Sequence, residues 1–270
     1  MNAAVDHLVV GYGDGFQAVA DTLLVVLVAI ERVLRAAPPA MVLAAVALLA
    51  LAAGRSLRLA VAMAAVVWGV GALGLWDQAM QTVAIVLVAV AVAVLLGLPI
   101  GVLAARRAWV RAVVGPVLDL MQTIPSFVYL IPAAMLFGLG KVPAILATVV
   151  YATPPLIRLT DLGIRQVDPA AVEASRAFGA TPWQVLRGVE LPLALPAILQ
   201  GLNQTVMMAL GMVVIASMIG ARGVGETVLL GLQRGDAGQG FVGGLAIVLL
   251  AVAFDRITQA YGRRIQVRGA

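Results

Sequence analysis

Cysteine is absent from the 270 residues, and histidine and lysine each occur once, at His7 and Lys141. Without cysteine there are no disulfides and no thiolate metal sites, and the redox compartment stays undetermined. His7 lies in the N-terminal segment with no catalytic grouping around it. A phosphate-binding P-loop ends in Lys followed by Ser or Thr. Lys141 is followed by Val142, so no nucleotide site is visible in this chain. Charge is scarce as well, at 11% of residues against about 25% in soluble domains. Aromatic residues make up 5% and are scattered, so no cage of the kind that holds quaternary ammonium groups can be read. Trp76 and Trp109 fall at predicted span ends, where interfacial anchoring is the ordinary role of tryptophan. The N-terminus has no basic region, since Asp6, Asp14 and Asp21 come first. A cleaved signal peptide is therefore not expected.

What is present is apolar: 63% of residues are hydrophobic and the mean hydropathy is +1.06. Such a chain has lipid as its solvent, and only helices and closed barrels satisfy their backbone groups there. The runs are long, continuous and rich in Ala, Leu and Val, which selects helices. The expectation is an all-α integral membrane protein, a polytopic bundle of about seven spans. They are placed near 38–54, 57–76, 79–104, 113–138, 142–163, 194–219 and 240–261. Phe16 to Leu34 mixes Asp21, Glu31 and Arg32 with Leu and Val. It reads as an amphipathic interfacial helix, with an extra span as the alternative.

A net charge of +5 raises nucleic acid as a partner. The arginines sit instead in short clusters between apolar runs, the distribution that the positive-inside rule produces. Eleven of them fall on one side of the alternating spans, and four with Lys141 on the other. The 164–193 loop and the C-terminus are therefore expected in the cytoplasm, and nucleic acid is not an expected partner.

Within that loop Asp168-Pro169 reads as an N-cap with proline at the first helical position. Gly179 suits the left-handed residue that ends the helix. Thr181-Pro182-Trp183-Gln184 opens a second helix with a capping box, and Pro192 is expected to stop it. Small residues at Ala170, Ala171, Ala174 and Ala177 allow close approach by another protein, with Glu173 adding a charge for a basic partner. An amphipathic helix lying on the membrane is the alternative.

Glu173-Ala174-Ser175, three residues, Gly179, nine residues, Val189, one residue and Leu191-Pro192 resemble the EAA motif of ABC importer permeases. Ser175 and Val189 stand where that pattern has Ala and Ile. Leu75-Trp76-Asp77, Met121 to Pro132, Gly163 to Val167 and Val214 to Gly220 extend the likeness to permeases for glycine betaine, proline betaine and choline. The resemblance implies the type I importer fold in a bacterial cytoplasmic membrane. It implies ATPase coupling by Glu173, Ala174, Ser175, Arg176 and Gly179, and a permease homodimer on two ATPase subunits. It also implies a separate substrate-binding protein, because the chain stops at Ala270. Four segments follow: 1–37 interfacial, 38–76 with two accessory helices, 77–262 as the permease domain and 263–270 as a basic tail.

The substrate path is a separate question. Asp119, Gln122, Ser126 and Tyr129 recur at helical spacing on the fourth span, with Pro125 as a bend among them. Gln122, Pro125, Ser126 and Tyr129, with Asn203 on the sixth span, are candidates for the lining, and helix–helix hydrogen bonding is the other reading. Met207, Met208 and Met212 offer either a soft wall or plain packing. Residues 220–234 read as a re-entrant or interfacial segment. Asp161 between Arg158 and Arg165, and Asp255 beside Arg256, read as charge compensation. An ion-gradient-driven carrier is the rival class, but inverted repeats and mid-depth carboxylates, its usual marks, are not found.

Overall fold

The structure, a computed structural model, describes the backbone of residues 2–269 and the side chains of residues 17–265. Readings made on the side chains of Asp6, His7, Asp14 and Arg268 lie outside the described residues. The described chain is helical throughout. The first half comprises α1 (Asn2–Ala36), α2 (Pro39–Gly54), α3 (Leu57–Ala72), α4 (Trp76–Arg106), α5 (Ala108–Thr123) and α6 (Leu130–Phe137). The second half comprises α7 (Lys141–Ala152), α8 (Pro154–Arg165), α9 (Pro169–Ala177), α10 (Pro182–Val185), α11 (Leu191–Ser217), α12 (Val224–Arg234) and α13 (Ala237–Gly269).

Among the described residues four helices are long and apolar enough to cross a membrane, and six if each of two bent pairs counts as one. The seven spans expected are therefore not seven equal ones. Helices α2 and α3 have 16 residues each, about 24 Å at 1.5 Å per residue, short of the roughly 30 Å hydrocarbon layer. The expected span 113–138 is broken, with α5 and the segment Ser126–Phe137 meeting at 108°.

The centre is built from α4, α8 and α11. Gly97 and Gly101 on α4 set their backbone against Leu156 and Thr160 of α8, where a Cβ on Gly101 would lie 2.6 Å from that of Thr160. Gly163 and Gly201 do the same between α8 and α11. Small residues at helix crossings give close packing where lipid leaves little hydrophobic drive for association.

Helix α1 does not lie apart on a surface. Leu27 is wholly buried among Ile85, Val88, Ile145 and Val149, and Glu31 is buried beside it. Glu31 Oε2 accepts from Lys141 Nζ at 2.5 Å, and Arg35 Nε reaches Asp77 Oδ1 at 2.5 Å. Of the charges that read as an interfacial face Glu31 thus pairs with α7, and Arg35, one turn further on, pairs with α4. The 220–234 segment forms α12, tucked between α11 and α13, with Gly225 pressed onto the backbone of Val213.

Candidate functional site

The loop between α8 and α11 folds by local capping. The Asp168 side chain accepts from Ala170 N–H at 2.9 Å, and Pro169 fills the first helical position, where its missing N–H costs nothing. Helix α9 ends at Gly179, whose φ of +81° is left-handed, while Ala180 N–H returns to Ser175 O at 3.2 Å. Thr181 and Gln184 then form the capping box in both directions. Two short helices joined by a sharp turn result.

Pro192 departs from expectation. It does not end the second helix, because Pro182–Ser217 runs on as one long span. A π-turn over Leu186–Glu190 precedes it, closed by Leu191 N–H to Leu186 O. The wider turn accommodates a proline that offers no N–H and crowds the preceding carbonyls.

One arginine fixes this unit to the bundle. Arg106 Nη2, at the end of α4, donates to Glu190 Oε2 and to Pro182 O, each at 2.9 Å. Glu190 is buried, and Val172 and Val189 pack on the cluster of Ile164, Val167 and Leu186. These contacts turn one face of the loop inward. The other carries Glu173, Ala174, Arg176 and Ala177, all exposed, with Phe178 93% and Trp183 64% exposed beside them. Ser175 is half-buried. Neither Glu173 nor Arg176 has an ion-pair partner among the described residues. An apolar and charged surface held rigid and left uncovered is what a protein partner needs.

The candidate path residues separate into two places. Helix α5 stops at Thr123, and Pro125 opens a tight turn over Ser126–Tyr129, so Asp119, Gln122, Ser126 and Tyr129 do not share one helical face. Asp119 pairs with Arg158 of α8. Gln122 is exposed and Ser126 half-buried. Tyr129 donates its hydroxyl to Met121 O at 2.6 Å, satisfying a carbonyl that the break leaves free, and its ring lies 6.3 Å from that of Tyr151. Asn203 is elsewhere. Its Nδ2 donates to Asp255 Oδ1 at 2.8 Å, and with Gln200, Thr258 and Gln259 it borders a cavity of ≈ 200 Å³ between α11 and α13. Asp255 is held by Asn203 and Gln259 rather than by its neighbour Arg256. Arg165 takes Asp161 in a two-point bond, while Arg158 goes to Asp119. Met212 is wholly buried against Leu130, Ala133 and Ala147, which is packing. Arg106 and Glu190 escaped the sequence reading because a basic span end looks the same whether or not it holds a loop.

A polytopic helical bundle bearing an exposed, doubly capped loop is the architecture of a transport-system membrane component. Residues 97–267 match the family described as binding-protein-dependent transport system inner membrane component, and the chain belongs to that family. Over 200 residues it is 53% identical to the glycine betaine/proline betaine transport system permease protein ProW of Escherichia coli, covering 74% of this chain and 56% of that protein. It therefore spans little more than half the length of that relative. It is 50% identical over 192 residues to the glycine betaine/carnitine transport permease protein GbuB of Listeria monocytogenes, covering 71% of this chain and 68% of that one. A solved inward-facing form of the MetNI methionine ABC transporter superposes with a TM-score of 0.64 at 25% identity, over 71% of this chain and 95% of its own. The fold is that of type I ABC transporter permeases.

Proposed function

We propose that the chain is the permease subunit of an ATP-binding-cassette importer for a small osmoprotectant, glycine betaine, proline betaine or choline, in a bacterial cytoplasmic membrane. In this reading two copies assemble on two ATPase subunits that bind ATP and magnesium, and a separate binding protein delivers the substrate. The loop and the C-terminus face the cytoplasm, as the arginine distribution favours. The observation that carries the reading is the exposed face of α9 and its turn, with Glu173, Ala174, Arg176 and Phe178 presented on a frame tied to α4 by Arg106. Glu173, Ala174, Ser175, Arg176 and Gly179 then couple hydrolysis to movement of the bundle. Glycine betaine and proline betaine follow from the name of ProW, glycine betaine again from that of GbuB, and choline from the sequence resemblance.

The test uses the assembled complex in proteoliposomes. Glu173→Lys reverses the charge offered to the ATPase, and Gly179→Val forces a β-branched side chain into a left-handed conformation. Both variants are expected to keep the membrane bundle while losing substrate-stimulated ATP hydrolysis. Wild-type coupling in both sinks the docking role. Calorimetry on the partner binding protein with glycine betaine, choline, carnitine and proline checks the substrate class, and tight binding of a metal or peptide instead overturns it.

A further inference from the structure

At the loop end of the bundle, where α2 turns into α3 and α13 passes both, a cavity of ≈ 540 Å³ is bordered by Arg55, Ser56, Leu59, Ala260, Arg263 and Arg264. Among the described residues none of its three arginines pairs with a carboxylate. Arg264 Nη1 donates to Ala52 O, which anchors that guanidinium at the end of α2. Helix α2 ends and the 16-residue helix α3 begins at the same cavity, so their dipoles oppose one another there and the positive potential comes from the arginines. Three neighbouring cations repel one another unless an anion lies between them.

The backbone at Arg55 adds an independent observation. Its φ of 50° is left-handed, and it is the one non-glycine residue with positive φ among those described. Helices commonly close with glycine in this conformation, yet here Gly54 comes one residue early and arginine takes the turn. The site keeps a charge where the chain's own geometry favours no side chain.

What lies along α13 identifies the anion. Arg264, Ile257 and Leu250 are spaced by seven residues, with Phe254 and Ala253 between the last two, and so share one face of the helix. Those four apolar residues border a groove of ≈ 350 Å³ that α2 and α4 also line. From Arg264 to Ile257 is about 10 Å at 1.5 Å per residue. Charge at the helix end and an apolar furrow about two turns deeper fit a headgroup and its chain. A soluble anion uses only the first.

We propose that this cavity binds the headgroup phosphate of an anionic phospholipid, with an acyl chain lying in the groove along α13. Guanidinium groups suit phosphate because their paired N–H donors match its oxygens. Native mass spectrometry of the full chain tests this, with dioleoylphosphatidylglycerol, dioleoylphosphatidylcholine or inorganic phosphate supplied at equal concentration. Phosphatidylglycerol should be retained over phosphatidylcholine, and inorganic phosphate should not displace it. Arg55→Gly and Arg263→Gln should each weaken its retention about fivefold, the weight of one arginine at an anionic lipid surface. Arg55→Gly relaxes the backbone, so its unfolding midpoint should not fall and lost retention is not lost folding. Arg234→Gln, at the far end, should change nothing. Equal retention of the two lipids, unchanged retention in both cavity variants, or displacement by inorganic phosphate overturns the proposal.

Discussion

The Thr82 hydroxyl, wholly buried on α4, accepts the Val224 N–H at 2.9 Å. That N–H opens α12 and has no partner within its own helix. Gly223 makes the approach possible, since a Cβ there would stand 2.5 Å from Thr82 Oγ1. Thr82→Val keeps the shape and removes the acceptor, so it should cost about 1–3 kcal/mol, the desolvation of an orphaned buried donor. Thr82→Ser keeps the acceptor and should lose less. Unfolding midpoints of the two variants in detergent check this, and equal midpoints would mean that Val224 finds another acceptor. Nothing in the sequence around Thr82 marks it, because its partner stands 142 positions away. Asp161 shows the same limit from the other side. Its spacing suited both Arg158 and Arg165, but tertiary packing brings Asp119 to Arg158 and leaves Asp161 to the bond along its own helix.

Elements whose signals are local were legible. Asp168 with Pro169, Gly179, and Thr181 with Gln184 each act within four residues, and the folded loop uses all of them as their chemistry dictates. Pro192 misled because a proline ends a helix only if the preceding turn cannot widen, and the π-turn over Leu186–Glu190 widens. Pro125 behaved as a break rather than a gentle bend, which removed the shared face on which the polar stripe depended. The glycine pair Gly97 and Gly101 could have been read in advance, since that spacing on a span marks close helix contact. The link between α4 and the loop had no local signal at all. Arg106→Ala leaves Glu190, 10% exposed in the intact pair, without its cation. The expected loss is about 3 kcal/mol, the low end for a broken buried pair, because Arg106 itself is 29% exposed. Replacing both residues by Met should recover much of that loss, since the penalty belongs to the unpaired charge. A double-mutant cycle on unfolding midpoints decides it, and additive losses would mean that the two residues act separately.

Seen whole, the molecule carries ion pairs at both ends of the same helix α4. Near its last turn Arg106 holds the loop. Near its first turn Asp77 takes Arg35 of α1, while Gln81 Nε2 donates to the same carboxylate at 2.9 Å. Glu31, one turn before Arg35, binds Lys141 at the start of α7, so α1 is pinned to two helices by two charged contacts. These contacts differ in their surroundings. Arg35 and Asp77 are 45% and 54% exposed, whereas Lys141 and Glu31 are 20% and 11% exposed. Salt screens exposed pairs and spares buried ones, so raising ionic strength should loosen Arg35 from Asp77 and leave Glu31 on Lys141. Glu31→Ala removes the protected contact and strands a lysine in a shielded position. Amide hydrogen exchange over residues 23–34 should then rise strongly at any ionic strength, whereas Asp77→Asn should raise it only modestly and only at low salt. Exchange over 169–185 should stay unchanged in both variants, because the loop is held from the opposite end of α4. A rise there on loss of Glu31 would instead mean that α4 transmits strain along its 31 residues, and that the two ends move as one.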